Sequence, residues 1–336
     1  MTIEATMAAD RSPKTPRRSV RSVPGAGDRI FRGGTRMAAI AVVGVIGAVG
    51  LFLAIRAYPA LAVAKLHFLT TQTWEPDDHR FGVGGILTDT ILIALVALVV
   101  SVPISLGLSL FISEIAPQRI QRAMISLVDL MAAVPSVVYA LWGVNYLQPH
   151  VLGISRFLST WFGWIPLFKV VSPAANSILN KGTSFSASTF IVGLTVSLMV
   201  IPIQCSVMRE SFSQAPLGER EGAYALGGNR WGMITTVVLP FGRGGIIGGT
   251  MLGLGRALGE TIAVYLIIST VYGINWHILQ SGGNSVSALI ALQYGDASKF
   301  GTSALMAAGL TLFAITLVIN FGASAIVSRS RSGAES

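Results

Sequence analysis

Six apolar runs, each long enough to cross a bilayer as an α-helix, constrain this chain more than any other feature. A helix needs about 20 apolar residues to span the ~30 Å hydrocarbon core of a membrane. The runs lie near residues 37–58, 85–112, 124–147, 188–208, 246–270 and 302–327. Charged residues make up only 12% of the chain, against ~25% in soluble domains. The sequence therefore predicts an all-α membrane protein with six transmembrane helices.

The basic residues between the runs predict which side of the membrane each loop faces. Cytoplasmic loops are enriched in Lys and Arg, so the segments richer in these residues mark the cytoplasm. One set of alternate segments has eight arginines in 57 residues, and its members are 113–123, 209–245 and 328–336. The other set has six Lys or Arg in 97 residues, and its members are 59–84, 148–187 and 271–301. We therefore expect a multi-pass protein of the cell membrane with both termini in the cytoplasm.

The first 36 residues differ in composition from the rest of the chain. They are rich in Ser, Pro, Gly and Arg and include eight basic residues, so they have little apolar surface to bury. We expect residues 1–36 to be a disordered basic cytoplasmic tail and residues 37–336 to be the transmembrane domain. The net charge of +9 requires no nucleic-acid partner, because basic residues beside a span mark its cytoplasmic side. A signal peptide cleaved at Ala62-Val-Ala64 is the alternative, although the apolar run before it is longer than a usual signal core.

One further apolar segment, from Phe157 to Val171, would reverse the sidedness of all later loops if it crossed the membrane. It has only 15 residues, and it contains Pro166 and Lys169. Its Trp and Phe side chains favour the headgroup region of a bilayer. The segment is therefore expected to be a helix that lies on the membrane surface.

The longest cytoplasmic segment, 209–245, contains a predicted pair of short helices. Residues 219–225 can form about two helical turns, and Gly227 provides a left-handed stop. Asn229 is a good N-cap for a second helix, and Pro240 is expected to end that helix by biasing Leu239 away from helical angles. Four apolar side chains are available for packing, namely Tyr224, Leu226, Trp231 and Met233.

The spacing within this segment resembles the cytoplasmic loop of ABC importer permeases. The pattern of that loop is E-A-A, three residues, G, nine residues, and then I-x-L-P, with two small apolar departures here, Gly222 and Val237. The resemblance implies that the loop couples the membrane helices to an ATPase. An ordinary helical hairpin between two spans is the alternative. The matching residues, which we expect to form the coupling site, are Glu221, Ala223, Gly227, Leu239 and Pro240.

Two charged residues, Arg256 and Glu260, lie near the middle of the fifth run. An unpaired charge at the bilayer midplane costs about 2.5–3.5 kcal/mol or more, so the two side chains, four residues apart on a helix, are expected to pair. Glycines at 245, 249 and 253 continue their face and allow another helix to approach closely. Either the pair only holds helices together, or Arg256 offers its charge and planar donors to an oxyanion in transit while Glu260 holds the empty arginine.

Two runs inside the spans resemble phosphate importer permeases of the Pst type, particularly the C-type subunit. They are Asp129–Gly143 in the third span and Gly255–Val264 in the fifth, and the likeness extends from about residue 85 to the C-terminus. The resemblance implies a type I ABC importer permease for inorganic phosphate, with Arg256 and Glu260 on the substrate path. Pro135 and Ser136 are expected to bend the third helix, and Ser136 can face the same path.

The family likeness also implies partners: a second related permease subunit, an ATPase dimer and an external phosphate-binding protein, besides membrane lipid. The chain has no G-x-x-x-x-G-K-[ST] sequence, so ATP hydrolysis is expected in the ATPase subunits, and no catalytic residue, metal site or bound cofactor is predicted here. Three alternatives remain open: a permease for another oxyanion such as sulfate or molybdate, a secondary anion transporter or channel, and a membrane sensor.

Overall fold

The computed structural model describes residues 26–171 and 184–332, which are mostly helical. The first half contains helix α1 Ala26–Ala64, a hairpin of strands β1 Trp74–Glu75 and β2 Arg80–Phe81, and helices α2 Gly84–Leu110, α3 Gln118–Ala133, α4 Ser136–Trp142 and α5 Gln148–Phe162. The second half contains α6 Thr189–Ser213, α7 Leu217–Ala225, α8 Arg230–Met233, α9 Leu239–Phe241, α10 Arg243–Leu258, α11 Ile262–Ile267, α12 Val286–Gln293 and α13 Lys299–Ser332. Single π-helical turns extend α2 to Ile115, join α4 to α5 and join α8 to α9.

Four helices of the described chain are long and apolar enough to cross a membrane, and the number rises to six if two bent helix pairs count as one span each. The single helices correspond to the first, second, fourth and sixth predicted runs. One bent pair joins α3 to the helix Ser136–Phe162 at 91°, and the other joins Arg230–Phe241 to α10 at 65°. The chain is therefore a multi-pass membrane protein. Its third run bends within the span, whereas the second bend lies at Gly242, just before the fifth run, and the fifth run is itself broken between α10 and α11.

The bend in the third run lies where the sequence predicted it. Val134 and Pro135 both adopt extended backbone angles between α3 and α4. Proline has no N–H to donate, and it biases the residue before it towards extended angles, so both residues leave the helix. The predicted bend at Pro135 and Ser136 is confirmed.

Three helices, α2, α6 and α10, form the centre of the bundle. A Cβ atom on Gly193 of α6 would overlap Val96 of α2, and Ser105 Oγ donates to Gln204 Oε1 at 3.1 Å, so α2 and α6 run in parallel. The predicted glycine face of α10 is confirmed, because it packs against α6. A Cβ atom on Gly245 would meet Ser211, one on Gly249 would meet Met208, and one on Gly253 would meet Val200. This order makes α10 antiparallel to α6.

The directions of these helices define two ends of the bundle. We call the end where α2 and α6 begin the hairpin end, because it holds β1 and β2, and the opposite end the loop end, because it holds α7–α9. Since α2 and α6 are parallel, the chain between them returns across the bundle once. Phe157–Val171 therefore adds no crossing, but the prediction that it forms one helix is wrong, and its position at the membrane surface stays a prediction. Residues 157–162 end α5, and a short 3₁₀ helix follows at Pro166–Phe168.

Helix α1 begins earlier than the sequence predicted. Residues 26–36 are helical and not a disordered tail, and residues 1–25 lie outside the described part of the chain. An ion pair between Asp28 and Arg32, at 3.2 Å, links successive turns. Once the apolar run has nucleated a helix, adding residues to its end costs little, so the helix extends into this polar segment.

Candidate functional site

The loop between α6 and α10 has the turn that its sequence predicts. Gly227 has φ = 84°, the left-handed conformation that ends α7. Its N–H donates to Tyr224 O at 2.9 Å, and the Gly228 N–H donates to Ala223 O at 3.0 Å. Asn229 Oδ1 accepts the Gly232 N–H at 2.7 Å and caps α8. The predicted left-handed stop and N-cap are confirmed.

Pro240 does not end the second helix of this loop. Leu239 keeps helical angles (φ −66°, ψ −45°), and the helix continues to Phe241. The π turn over residues 234–238 widens the helix just before the proline ring, and Pro240 then stands in the first turn of α9, where its missing N–H is tolerated. The chain bends instead at Gly242, where a Cβ atom would overlap the Phe212 ring.

The loop presents an apolar surface at the loop end of the bundle. The Leu226 side chain is 91% exposed and the Trp231 side chain 65% exposed, whereas Met233 is buried. Ala223 and Leu239 are half-buried against the cluster that contains Met233. We call the exposed set the coupling surface; it consists of Leu217, Glu221, Tyr224, Leu226, Gly227, Trp231 and Pro240.

An ion pair that the sequence analysis did not find anchors this loop to α2. Arg220 Nη1 lies 2.8 Å from Glu114 Oε2, and the Glu114 side chain is 2% exposed. The same guanidinium donates to Phe212 O at 2.6 Å and to Ala215 O at 3.2 Å. Arg220 therefore joins the ends of α2 and α6 to the start of α7. An acidic residue at the end of the second apolar run was the available signal, but its partner is 106 residues away.

Arg256 and Glu260 do not form the predicted pair. Helix α10 ends at Leu258, and no Arg256–Glu260 contact is among the ion pairs of residues 26–171 and 184–332. Glu260 is buried, and its Oε1 accepts the Ala263 N–H at 3.3 Å at the start of α11. The first N–H groups of a helix have no helical acceptor, and a carboxylate there is also stabilised by the positive end of the helix dipole. This capping role takes Glu260 away from Arg256.

Arg256 and Ser136 are the two further residues that the sequence analysis assigned to the substrate path. Arg256 is exposed in the single chain, and the Tyr139 hydroxyl of α4 donates to Met131 O at 2.9 Å across the Pro135 break. Ser136 is the first residue of α4, one turn before Tyr139, and it is half-buried. Arg256 and Ser136 make no hydrogen bond to each other within the described residues, and Arg256 is separated from the Glu260 carboxylate.

A buried polar cluster at the hairpin end was also missed. Asp89 is fully buried, and its Oδ2 accepts the Asn284 N–H at 3.0 Å, while its Oδ1 has no hydrogen-bond partner in the described chain. A Cβ atom on Gly283 would stand 3.1 Å from Asp89 Oδ2 and 3.2 Å from Thr189 Oγ1. Ser285 Oγ donates to the Glu260 backbone O at 3.4 Å, which connects this cluster to the break between α10 and α11. Asp89 lies in a long apolar run, so the residue itself was the signal.

Several curated proteins are similar to this chain over most of its length. The "Phosphate transport system permease protein PstC 2" of Mycobacterium tuberculosis is 37% identical over 304 residues, which cover 89% of this chain and 91% of the relative. The PstC protein of Mycobacterium leprae is 37% identical, with coverages of 82% and 85%. The PstC protein of Pasteurella multocida is 36% identical, with coverages of 86% and 88%.

A solved structure supports the fold assignment. A chain of a bacterial ABC transporter involved in the import of the acidic polysaccharide alginate superposes with a TM-score of 0.53 at 18% identity. The superposition covers 90% of this chain and 99% of that chain, so the two share the ABC transporter permease fold. No protein-family model matches the chain.

Proposed function

This chain belongs to the PstC family of phosphate transport system permease proteins, and from that premise we propose that inorganic phosphate passes inward beside its Arg256. The observation that carries the function is the 37% identity to a phosphate transport permease across 89% of the chain. The chain is a permease subunit and not an enzyme, and its fold and family imply ATPase and permease partners. It carries no G-x-x-x-x-G-K-[ST] sequence, so we assign ATP hydrolysis to separate subunits.

The coupling surface is the contact that we assign to the ATPase dimer. Leu226 and Trp231 expose apolar area that a water-facing loop has no reason to present unless a partner covers it. The ion pair between Glu114 and Arg220 would carry a displacement of this surface to α2. This arrangement supports an orientation in which the loop end faces the cytoplasm, and we propose that both termini of the chain face the cytoplasm as well. The hairpin end then faces an external phosphate-binding protein.

Arg256 is the residue that we assign to the passing anion. A guanidinium keeps its charge at every physiological pH and presents planar donors that suit a phosphate oxygen. The capping role of Glu260 supports this assignment, because the carboxylate is held by backbone N–H and leaves Arg256 free to bind. Ser136 and a second permease subunit of related sequence would complete the path.

Reconstitution tests this proposal. The chain, its partner permease, the ATPase and the binding protein in liposomes should accumulate radiolabelled phosphate only when ATP is supplied, with weak competition from sulfate or molybdate. Uptake of sulfate or molybdate in place of phosphate would reassign the substrate to another oxyanion. Phosphate uptake without ATP would instead favour a secondary transporter or a channel.

A further inference from the structure

A groove of about 560 Å³ lies between the C-terminal part of α1 and the start of α13, at the hairpin end of the bundle. Ile55 and Arg56 line it on one side, and Lys299, Phe300 and Met306 line it on the other. The lining includes none of the residues assigned above to transport or to ATPase coupling. The groove is therefore distinct from the sites assigned above.

A serine hydroxyl joins the two helices at this groove. Pro59 has no N–H, so the helical hydrogen bond to Ile55 O cannot form. One position further along, Ser303 Oγ donates to Arg56 O at 2.7 Å and accepts the Ala60 N–H at 3.3 Å. The hydroxyl thus stands between a carbonyl and an N–H of α1 and fixes the register of α13 against it. The groove is built into the packing of the two helices.

Two cations flank the groove without an acidic partner. Arg56 and Lys299 are both exposed, and neither takes part in an ion pair within residues 26–171 and 184–332. The Arg56 guanidinium lies 5.6 Å from the centre of the Phe52 ring, which holds it beside the helix. Lys299 is the first residue of α13, and Arg56 lies near the end of the apolar part of α1. Basic side chains at this level of a span reach the lipid headgroups.

We propose that this groove binds one anionic phospholipid. Its phosphate diester would accept hydrogen bonds from Arg56 and Lys299, and an acyl chain would lie against Ile55, Phe300 and Met306. The two unpaired cations call for a negative charge, and the apolar wall suits a hydrocarbon chain and not a free phosphate ion. This inference rests on the membrane location of the chain and not on its transport of phosphate.

Native mass spectrometry of the intact permease complex in detergent tests the proposal. Wild-type protein should bind added phosphatidylglycerol, and the Arg56→Gln/Lys299→Gln variant should bind it at least about tenfold more weakly, because two basic contacts to an anionic lipid are lost. The matched control is Lys65→Gln/Arg80→Gln, which removes the same charge at the hairpin end but outside the groove. It should bind the lipid like the wild type.

Three results would overturn the proposal. The first is equal binding of phosphatidylglycerol by the wild type and the groove variant. The second is that the wild type binds zwitterionic phosphatidylcholine as well as it binds phosphatidylglycerol. The third is displacement of the lipid by excess inorganic phosphate, which would assign the cations to a free ion. If the double variant does not fold, Lys299→Gln alone decides the matter. This single change affects an exposed side chain at a helix start and should weaken lipid binding about threefold or more.

Discussion

The Glu260 carboxylate accepts a hydrogen bond from the backbone N–H of Ala263 at 3.3 Å and so caps the start of α11 inside the fifth span. Where no water can reach, a first N–H group of a helix that is left unsatisfied costs about 1–3 kcal/mol. Glu260 is thus held by its own backbone, and this relationship changes what substitutions at the two charged positions are expected to do.

Glu260→Gln should assemble normally, because an amide oxygen can accept the same N–H. Glu260→Ala should lower the stability of the protein by about 1–2 kcal/mol, because the cap is lost. The charge-swapped protein, Arg256→Glu with Glu260→Arg, should be destabilised like Glu260→Ala, since arginine has no acceptor. Thermal unfolding of the purified proteins measures all three. A fully stable swapped protein would mean that the capping contact contributes nothing.

Arg256→Gln should abolish phosphate uptake while leaving assembly intact, because Arg256 has no ion-pair partner to orphan within the described residues. Arg256→Lys should also transport poorly, since an ammonium lacks the planar fork of donors. The measurement is ATP-driven phosphate uptake by proteoliposomes, with the amount of assembled complex as control. Normal uptake by Arg256→Gln would remove this residue from the substrate path.

Gly227→Val should uncouple transport from the ATPase. A β-branched residue at φ = 84° is strained by at least about 1–2 kcal/mol, so the turn that shapes the coupling surface should be lost. Gly222→Ala is the matched control in the same loop, because its Cβ meets no atom within 4 Å and its backbone is helical. Co-purification of the ATPase, together with uptake, reports the result. Equal coupling by the two variants would contradict the role of the turn.

Glu114→Gln should destabilise the loop end, because it leaves the partly buried Arg220 without its anion. Breaking a buried ion pair costs about 3 kcal/mol or more. Glu219→Gln removes an exposed carboxylate from the same loop and should change the melting temperature little. Thermal unfolding and ATPase co-purification compare the two variants. Indistinguishable melting temperatures would show that the ion pair does not anchor the loop.

Cysteine labelling tests the orientation of the bundle. In a Cys205→Ala background, Gly295→Cys near the hairpin end should react with an impermeant thiol reagent in intact cells. Ser213→Cys at the loop end should react only after the cells are permeabilised. Labelling of Ser213→Cys in intact cells would place the coupling surface outside the cell and contradict the proposed ATPase contact.

The sequence predicted those features that depend on local chemistry. Apolar runs of sufficient length identify spans because the membrane imposes the same length on each of them. Gly227, Asn229 and Pro135 were predictable because left-handed angles, caps and the missing proline N–H act within a few residues.

The features that were missed depend on contacts distant in sequence. Glu114 and Arg220 meet only when α2 and α6 end at the same level, and Asp89 gains its Asn284 contact only through the packing of the hairpin end. The fifth run is long enough for one continuous span, and its two charged residues were expected to pair on one helix, so the sequence was not interpreted as a helix that stops at Leu258. That stop also explains why the expected Arg256–Glu260 pair does not form.

Helix α6 has close neighbours on two sides. Gly193 of α6 lets α2 approach closely, and Gly253 of α10 lets α10 approach α6 closely. Because close-packed side chains resist rotation of one helix against another, we expect α6 to move together with α2 and α10. The backbone departs from helical geometry at Pro135 and again after Leu258, and we expect these two positions to act as hinges. A displacement of the loop end would then move the short helices beyond these two positions, α4 and α11, while α2, α6 and α10 keep their arrangement.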